Sequence, residues 1–449
     1  LHPGEEIRTP LVLLLSWQGD VLQGQNAFRR LILRHFTPPL AENWLWSSAS
    51  TDSWGAQNVA DQMAKINLIA QHDLPFDCYW IDGGWTEGNR PDSFGEWSQN
   101  VGNWKVSAEV YPQGLAEISS AVHAAGMKLI LWCEPTRVYT GTRIDREHPE
   151  WILDPSPRMP AFFAASKLFD LTQPEAVDWI VDLMSQKITE VGADAIWSDF
   201  CFEDPRDYWR HDEPEDRQGM REILYVMGFY RHWDELARRH PGLGIVNCAG
   251  GGRMIDLELM KRSVPLWTSD CMCLSDVTPT TGQCHTFGSL YWLPVSGTGC
   301  MQPDTYSWRS NMRSTAMARW WLVGKIPGDF SVEWLAKMLQ EHRAIRTCYE
   351  GDFYPLTPYS HSEEVWMAYQ LHRADRDAGV VVAFRRSACS APSAQWTLHG
   401  LDPAGRYSIT NCDGPGPASA TGRELAEHGL RVELPERASS AIIRYERSP

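Results

Sequence analysis

From residue 43 onward, short apolar runs alternate with longer segments in which apolar residues recur every three or four positions. The runs read as strands at 43–46, 76–81, 127–133, 193–198, 244–248, 266–269, 289–293 and 326–330. The intervening segments read as helices, among them 59–72, 114–125, 174–191 and 221–239. Strand–helix alternation implies right-handed crossovers and a parallel sheet. Eight such units over about 300 residues predict a closed (β/α)8 TIM barrel rather than an open sheet. No glycine-rich phosphate loop follows the first strand, which argues against a dinucleotide fold.

The pattern differs at both ends. Residues 11–17 read as a strand, 21–35 as a helix, and Pro38–Pro39 as a break. Beyond Tyr349, "VWMAYQLHR", "GVVVAFRR", "RYSIT", "LRVELP" and "SAIIRYE" are strand-like runs separated by turn residues. The expected organisation is therefore a linker or remnant of a preceding domain (1–38), a barrel (39–347) and an antiparallel β-sandwich (348–449).

Composition narrows the partners. The 449 residues, 43% of them hydrophobic, suffice for a large barrel core and a smaller module. A net charge of -16 repels nucleic acid and anionic membranes, and no apolar run is long enough to span a bilayer. The 11 cysteines are odd in number and lie mostly in strand-like contexts. They read as buried thiols of a reducing compartment, so the cytoplasm is the expected location. The 22 tryptophans exceed what a core needs, and they suit flat platforms on which the apolar faces of sugar rings stack.

Barrels of this kind collect their chemistry at the C-terminal ends of the strands. Those ends carry Trp46, Asp82, Trp132 with Glu134, Asp199, Cys248 with the following "AGGGR", and Asp270. Three aspartates directly after apolar runs place carboxylates around one rim. Asp199 and Asp270, on the fourth and sixth strands, suit glycoside cleavage, in which one carboxylate attacks the anomeric carbon and the other shuttles the proton. Taken singly, a strand-end aspartate is better explained as a helix cap or turn residue, and Gly250–Gly252 can form a tight turn. Their combination favours the chemical reading. Cys271, Cys273, Cys284 and His285 are a rival zinc set, but the C-x-C spacing fits zinc poorly, and no metal or cofactor is expected.

The motifs "WIDGGW", "VGNWKVSAEVYPQGLAEISSAVHAAGMKLILWCEP", "HPEW", "DLTQPEA", "NCAGGGRMIDLELMKRSVPLWTSD" and "HTFGSLYWLPVSGTG" together resemble the α-galactosidases of glycoside hydrolase family 36. The resemblance runs in order from about residue 5 to 329, and the opening "GEEIRTP" resembles the exit of the family's N-terminal β domain, most of which has no counterpart here. It implies a retaining mechanism with Asp199 as nucleophile and Asp270 as acid/base, acting on terminal α-linked galactose of an oligosaccharide. It further implies that Asp82 holds the O4/O6 edge of the sugar. Cys248, Gly251 and Arg253 would form the loop that contacts its hydroxyls, and Trp44, Trp85, Trp132, Glu134, Trp197 and Trp267 would complete the substrate site. A homo-oligomer is compatible with the resemblance.

Two departures loosen the sugar identity. Gly83 stands where many members have a second aspartate, and Trp197 where they have lysine or arginine. Both missing groups would bind hydroxyls that identify galactose, and space at Gly83 would admit a larger substituent. The alternatives are an α-N-acetylgalactosaminidase or another α-glycosidase, and a carbohydrate-binding homologue without catalysis.

Overall fold

The computed structural model describes residues 1–448 apart from 40–43, 55–57, 92–93, 161–163, 203, 275, 320–330 and 415; the side chains of 94–96 and 273 are also outside the description. Seven parallel strands pair in the order Gly244–Asn247, Ala195–Ser198, Lys128–Cys133, Cys78–Ile81, Ala49–Asp52, Thr315–Ala318 and Gly297–Cys300. Segment 264–268 bridges the two ends of this order. The amide of Asn247 donates to Val264 O and that of Val264 to Ile245 O, while Gly297 N donates to Pro265 O and Thr268 N to Gly297 O. The extended segment is thus the sixth stave, and the barrel closes with eight.

The strands read clearly where they are apolar and poorly where they are not. The first is Ala49–Asp52 ("ASTD") rather than 43–46, of which residues 44–46 form a turn and 43 lies outside the described residues. The seventh is Gly297–Cys300 ("GTGC") rather than 289–293, which overlaps the end of helix Pro279–Leu290. The eighth is Thr315–Ala318 ("TAMA"), and the expected 326–330 lies outside the described residues. Residues 11–17 form no strand. Small and polar strands carry no hydrophobic periodicity. Their place in the sheet comes from backbone pairing with neighbours remote in sequence.

Helix Pro174–Val191 illustrates how the outer layer is specified. Proline at its first turn has the right φ and loses no needed donor. Gly192 ends it in the left-handed region, at φ 72°, with its amide on Ile188 O. Val177, Ile180, Val181, Met184, Ile188 and Val191 form one buried stripe facing the sheet. Each such side chain contributes about 1.5–3 kcal/mol by leaving water, and Ile180→Ala would cost about 2–5 kcal/mol.

The barrel interior is filled with indoles. Trp80 meets Trp197 edge-on at 4.8 Å, and Trp197 lies 5.4 Å from Trp267. Trp80 is fully buried, whereas Trp197 and Trp267 also line the cavity above it, so the packed core serves as the floor of the site. Downstream, a six-stranded antiparallel sheet pairs Asp352–Pro355, Trp366–Arg373, Ala378–Arg385, Ser439–Arg447, Arg406–Asn411 and Ala418–Thr421 in that order. One face, with Met367, Tyr369, Leu371, Val380 and Val382, joins the barrel core. The other face, with Ala368, Val381 and Ala383, packs with Val432 and Trp396 of the two-stranded sheet Ser393–Trp396/Leu430–Glu433.

Candidate active site

The register that aligns Cys133 with Ser198 continues one residue further, because Asp199 N donates to Cys133 O at 2.9 Å. Asp199 is thereby mounted at the mouth of the barrel. Three donors converge on its carboxylate: Phe200 N at 2.8 Å and Gly250 N at 2.8 Å on Oδ1, and Trp132 Nε1 at 3.1 Å on Oδ2. Charge-assisted hydrogen bonds of this sort hold a carboxylate in one orientation.

Gly250 reaches Asp199 because residues 249–252 all adopt positive φ: Ala249 54°, Gly250 58°, Gly251 83° and Gly252 85°. The same loop presses on the sixth stave. A Cβ at Gly251 would lie 2.4 Å from Asp270 N, and one at Gly252 would lie 2.5 Å from Thr268 O. Only glycine permits both the conformation and this approach.

Asp270 follows the sixth stave and accepts from Trp267 Nε1 at 2.6 Å on Oδ1. The residue is open to solvent on its outer side, while its carboxyl stands at the cavity wall. Partial desolvation, followed by the negative charge of Asp199, pushes its pKa above the ordinary aspartate value against the Trp267 hydrogen bond and the charges of Arg319 and Arg253. Two carboxylates on different staves thus share one cavity, and the charge of Asp199 favours the protonated form of Asp270.

That cavity has a volume of about 250 Å³. Its walls are the indoles of Trp54, Trp97, Trp132, Trp197 and Trp267, and its polar groups include Asp82, Asp199, Asp270 and Arg319. Cys201, Leu274 and Met301 complete the lining. Asp82 accepts from its neighbour Gly83 N at 2.7 Å and from Arg319 Nη2 at 2.6 Å, and burial raises its pKa against the pull of Arg319.

Of the residues expected at the site, Asp82, Trp132, Trp197, Asp199, Trp267 and Asp270 line this cavity. Cys248 is buried close to both catalytic candidates, whose charges, after burial, raise its thiol pKa, and the Trp197 indole N–H lies beside it. Gly251 acts through backbone contact, as above. Arg253 donates to Phe202 O at 2.9 Å and to Ala249 O at 3.2 Å, pinning the loop. Trp85 is fully buried, with Nε1 on Trp132 O at 2.9 Å, one layer behind the wall. Glu134 is also fully buried, paired with Arg137 and accepting from Cys201 N; burial raises its pKa to about 7 against that pairing. Trp44 lies at the other end of the barrel, near Gly244 and Lys128 where strands begin. Its displacement follows from the first strand lying at Ala49–Asp52, whose tip presents Trp54 instead.

Trp54, Trp97 and Arg319 were not expected at the site. Trp54 follows the largely polar strand "ASTD" and Arg319 the short strand "TAMA", and Trp97 comes from a short 3-10 segment, Phe94–Asn100, in a loop. Correct placement of the "ASTD" and "TAMA" strands would have found the first two; nothing in the local sequence marks Trp97. Of the rival zinc set, Cys284 Sγ donates to Ser360 O, and His285 Nδ1 faces Arg313 Nη2 at 2.7 Å, so a cation occupies the side a metal would need. Burial, with that neighbour, lowers the His285 pKa to about 3. Among the described residues no three metal-capable side chains cluster, and no helix is long and apolar enough to cross a membrane.

Fold and site together define a TIM-barrel protein with a tryptophan-walled, carboxylate-lined cavity at the C-terminal mouth. Residues 49–340 match the melibiase family model and residues 366–444 that of the glycosyl hydrolase family 36 C-terminal domain. The chain belongs to the melibiase family, glycoside hydrolase family 36. It is 25% identical over 434 residues to α-galactosidase Mel36A of Lactobacillus acidophilus, covering 92% of this chain and 56% of that protein. It is likewise 25% identical over 485 residues to α-galactosidase AgaA of Geobacillus stearothermophilus, covering 98% and 60%. The chain therefore spans somewhat more than half the length of these curated relatives. Its fold matches the α-galactosidase of Lactobacillus brevis with a TM-score of 0.77 at 22% identity, over 96% of this chain and 58% of that one. It also matches AgaA of Geobacillus stearothermophilus in complex with raffinose, with a TM-score of 0.76 at 21% identity, over 95% and 59%.

Proposed function

We propose that this protein is a retaining α-glycosidase that removes a terminal α-linked galactose from an oligosaccharide. The observation that carries the reading is the shared cavity of Asp199 and Asp270, each carboxylate held by an indole N–H, with the Asp199 charge helping to raise the Asp270 pKa. Family membership and the names of its relatives supply the sugar.

In the first step an Asp199 oxygen forms a bond to C1 as the bond from C1 to the leaving oxygen breaks. Asp270 gives its proton to that oxygen, leaving a glycosyl ester and an Asp270 carboxylate. In the second step water attacks C1, its proton passes to Asp270, and the ester bond breaks, regenerating Asp199. The environments divide these roles. Asp199 is surrounded by donors suited to an anion, whereas Asp270 is shifted toward the protonated form a general acid needs. A cavity of about 250 Å³ lies below the 300–1,000 Å³ of pockets for drug-sized ligands, which suits one terminal sugar rather than a chain threaded through.

Aryl α-glycosides of galactose, N-acetylgalactosamine and glucose test the substrate. Asp199→Asn should abolish turnover, and azide should restore product formation by Asp199→Gly. Full activity of Asp199→Asn would overturn the mechanism. Binding of every sugar with cleavage of none would make the protein a carbohydrate-binding homologue.

A further inference from the structure

Around the closed barrel, Asp199 and Asp270 leave the fourth and sixth staves and flank the fifth. Asp82 and Arg319 leave the second and eighth and flank the first, diametrically across the ring. All four line one cavity. In a pyranose the atom across the ring from C1 is C4. A sugar seated with C1 between Asp199 and Asp270 therefore turns its C4 edge toward Asp82 and Arg319.

Arg319 is built to stay in place. It is buried, with Nε 2.8 Å from Asp52 Oδ2 and Nη2 2.6 Å from Asp82 Oδ2. Its guanidinium carbon lies 5.0 Å from the ring centroid of Trp54 and 4.7 Å from that of Trp267. Two carboxylates and two indoles restrict a planar cation to very few orientations. Among the described lining residues Arg319 carries the only positive charge. Trp197, two residues before Asp199, supplies none, so the cavity's cation arrives from the opposite wall.

We propose that Arg319 is a specificity-determining residue which, paired with Asp82, recognises the hydroxyl at C4 of the sugar. Asp82 offers the acceptor and Arg319 a permanently charged donor, and their ion pair at 2.6 Å fixes the two groups side by side. The inference rests on the glycosidase reading for the direction in which the sugar faces. Removing the C4 hydroxyl would take from the bound complex a hydrogen-bonding group that Asp82 and Arg319 share, which is the circumstance in which such sites discriminate strongly.

The test is calorimetric binding of galactose and 4-deoxygalactose to the wild-type protein, Arg319→Lys and Arg319→Met, with 2-deoxygalactose as the control. The wild type should bind galactose at least about tenfold more tightly than the 4-deoxy sugar. Both variants should shrink that ratio below about threefold while leaving the 2-deoxy ratio unchanged. Arg319→Met strands Asp52 and Asp82 without their cation; if it does not fold, Arg319→Lys, which keeps the charge and loses the fork, carries the measurement. An undiminished 4-deoxy ratio in a folded variant, or no discrimination by the wild type, overturns the assignment. Turnover of an aryl α-galactoside is read separately. Absent turnover with Arg319-dependent discrimination sinks the hydrolase reading and supports the binding role, whereas turnover with Arg319-independent discrimination does the reverse.

Discussion

A Cβ on Gly83 would lie 2.9 Å from Cε3 of Trp97, so the space beside this glycine is filled by an indole rather than left open for substrate. Trp97 is itself held edge-on against Trp132 at 5.2 Å and Trp54 at 5.9 Å, with the Arg137 guanidinium 5.5 Å from its ring centre. The glycine and the tryptophan are one device that narrows the cavity. Trp97→Ala should raise activity on an aryl α-N-acetylgalactosaminide relative to the galactoside by about tenfold or more, within the 10–200-fold range a hydrophobic wall provides. The ratio of kcat/KM values on the two substrates checks it.

The Trp132 indole donates to Asp199 Oδ2. Trp132→Phe removes that donor and keeps most of the ring. A hydrogen bond to a charged group is worth about 1.5–3 kcal/mol, so kcat/KM should fall about 10–150-fold. Phe200 N and Gly250 N still hold Oδ1, and residual activity should survive. Steady-state kinetics with a melting curve separate this from unfolding.

Gly251 allows the loop to touch Asp270. Gly251→Ala places a methyl group against Asp270 N and sets alanine at φ 83°. Strain of about 1–3 kcal/mol and a displaced Asp270 should follow, with a lower melting temperature and, on the proposed mechanism, at least about tenfold slower turnover. An unchanged kcat would show that Asp270 does not depend on this contact.

In the proposed mechanism Asp270 must be protonated to donate, and its pKa is raised. Activity should therefore fall as pH rises through that raised value, forming the basic limb of the kcat/KM profile. Arg253, whose charge opposes the shift, can be removed without touching the carboxylate. Arg253→Met should move the basic limb to higher pH. A limb that stays put would separate it from Asp270.

His232 and His342 are buried, and burial lowers each pKa from 6.5 to about 4. Because protonation favours the unfolded state, their contribution to stability is intact above about pH 6.5 and is lost as pH falls toward 4. Each shift corresponds to at most about 3 kcal/mol over that window. Melting temperature should decline steadily between pH 6.5 and 4, and His232→Leu should flatten part of that decline.

The sequence by itself determined the barrel, the antiparallel domain and the placing of Asp199 and Asp270 at the ends of staves. Apolar runs such as "CYWI" and "AIWS" announce buried parallel strands, and a carboxylate at the end of such a run has few places to go. Tertiary structure decided the rest of the cavity. Strands "ASTD", "GTGC" and "TAMA" are short and built mostly of small or polar residues, and their backbones complete a closed sheet, so Trp54 and Arg319 were invisible at their tips. Trp44 and Glu134, expected at the site, stand away from the cavity, one at the far end of the barrel and one in a buried ion pair. Which indole fills the space beside Gly83, and which cation faces Asp82, depends on residues 14 and 237 positions apart in the chain meeting in space. Local propensity records what a residue does to its neighbours in sequence; the walls of a cavity are made by neighbours across the barrel.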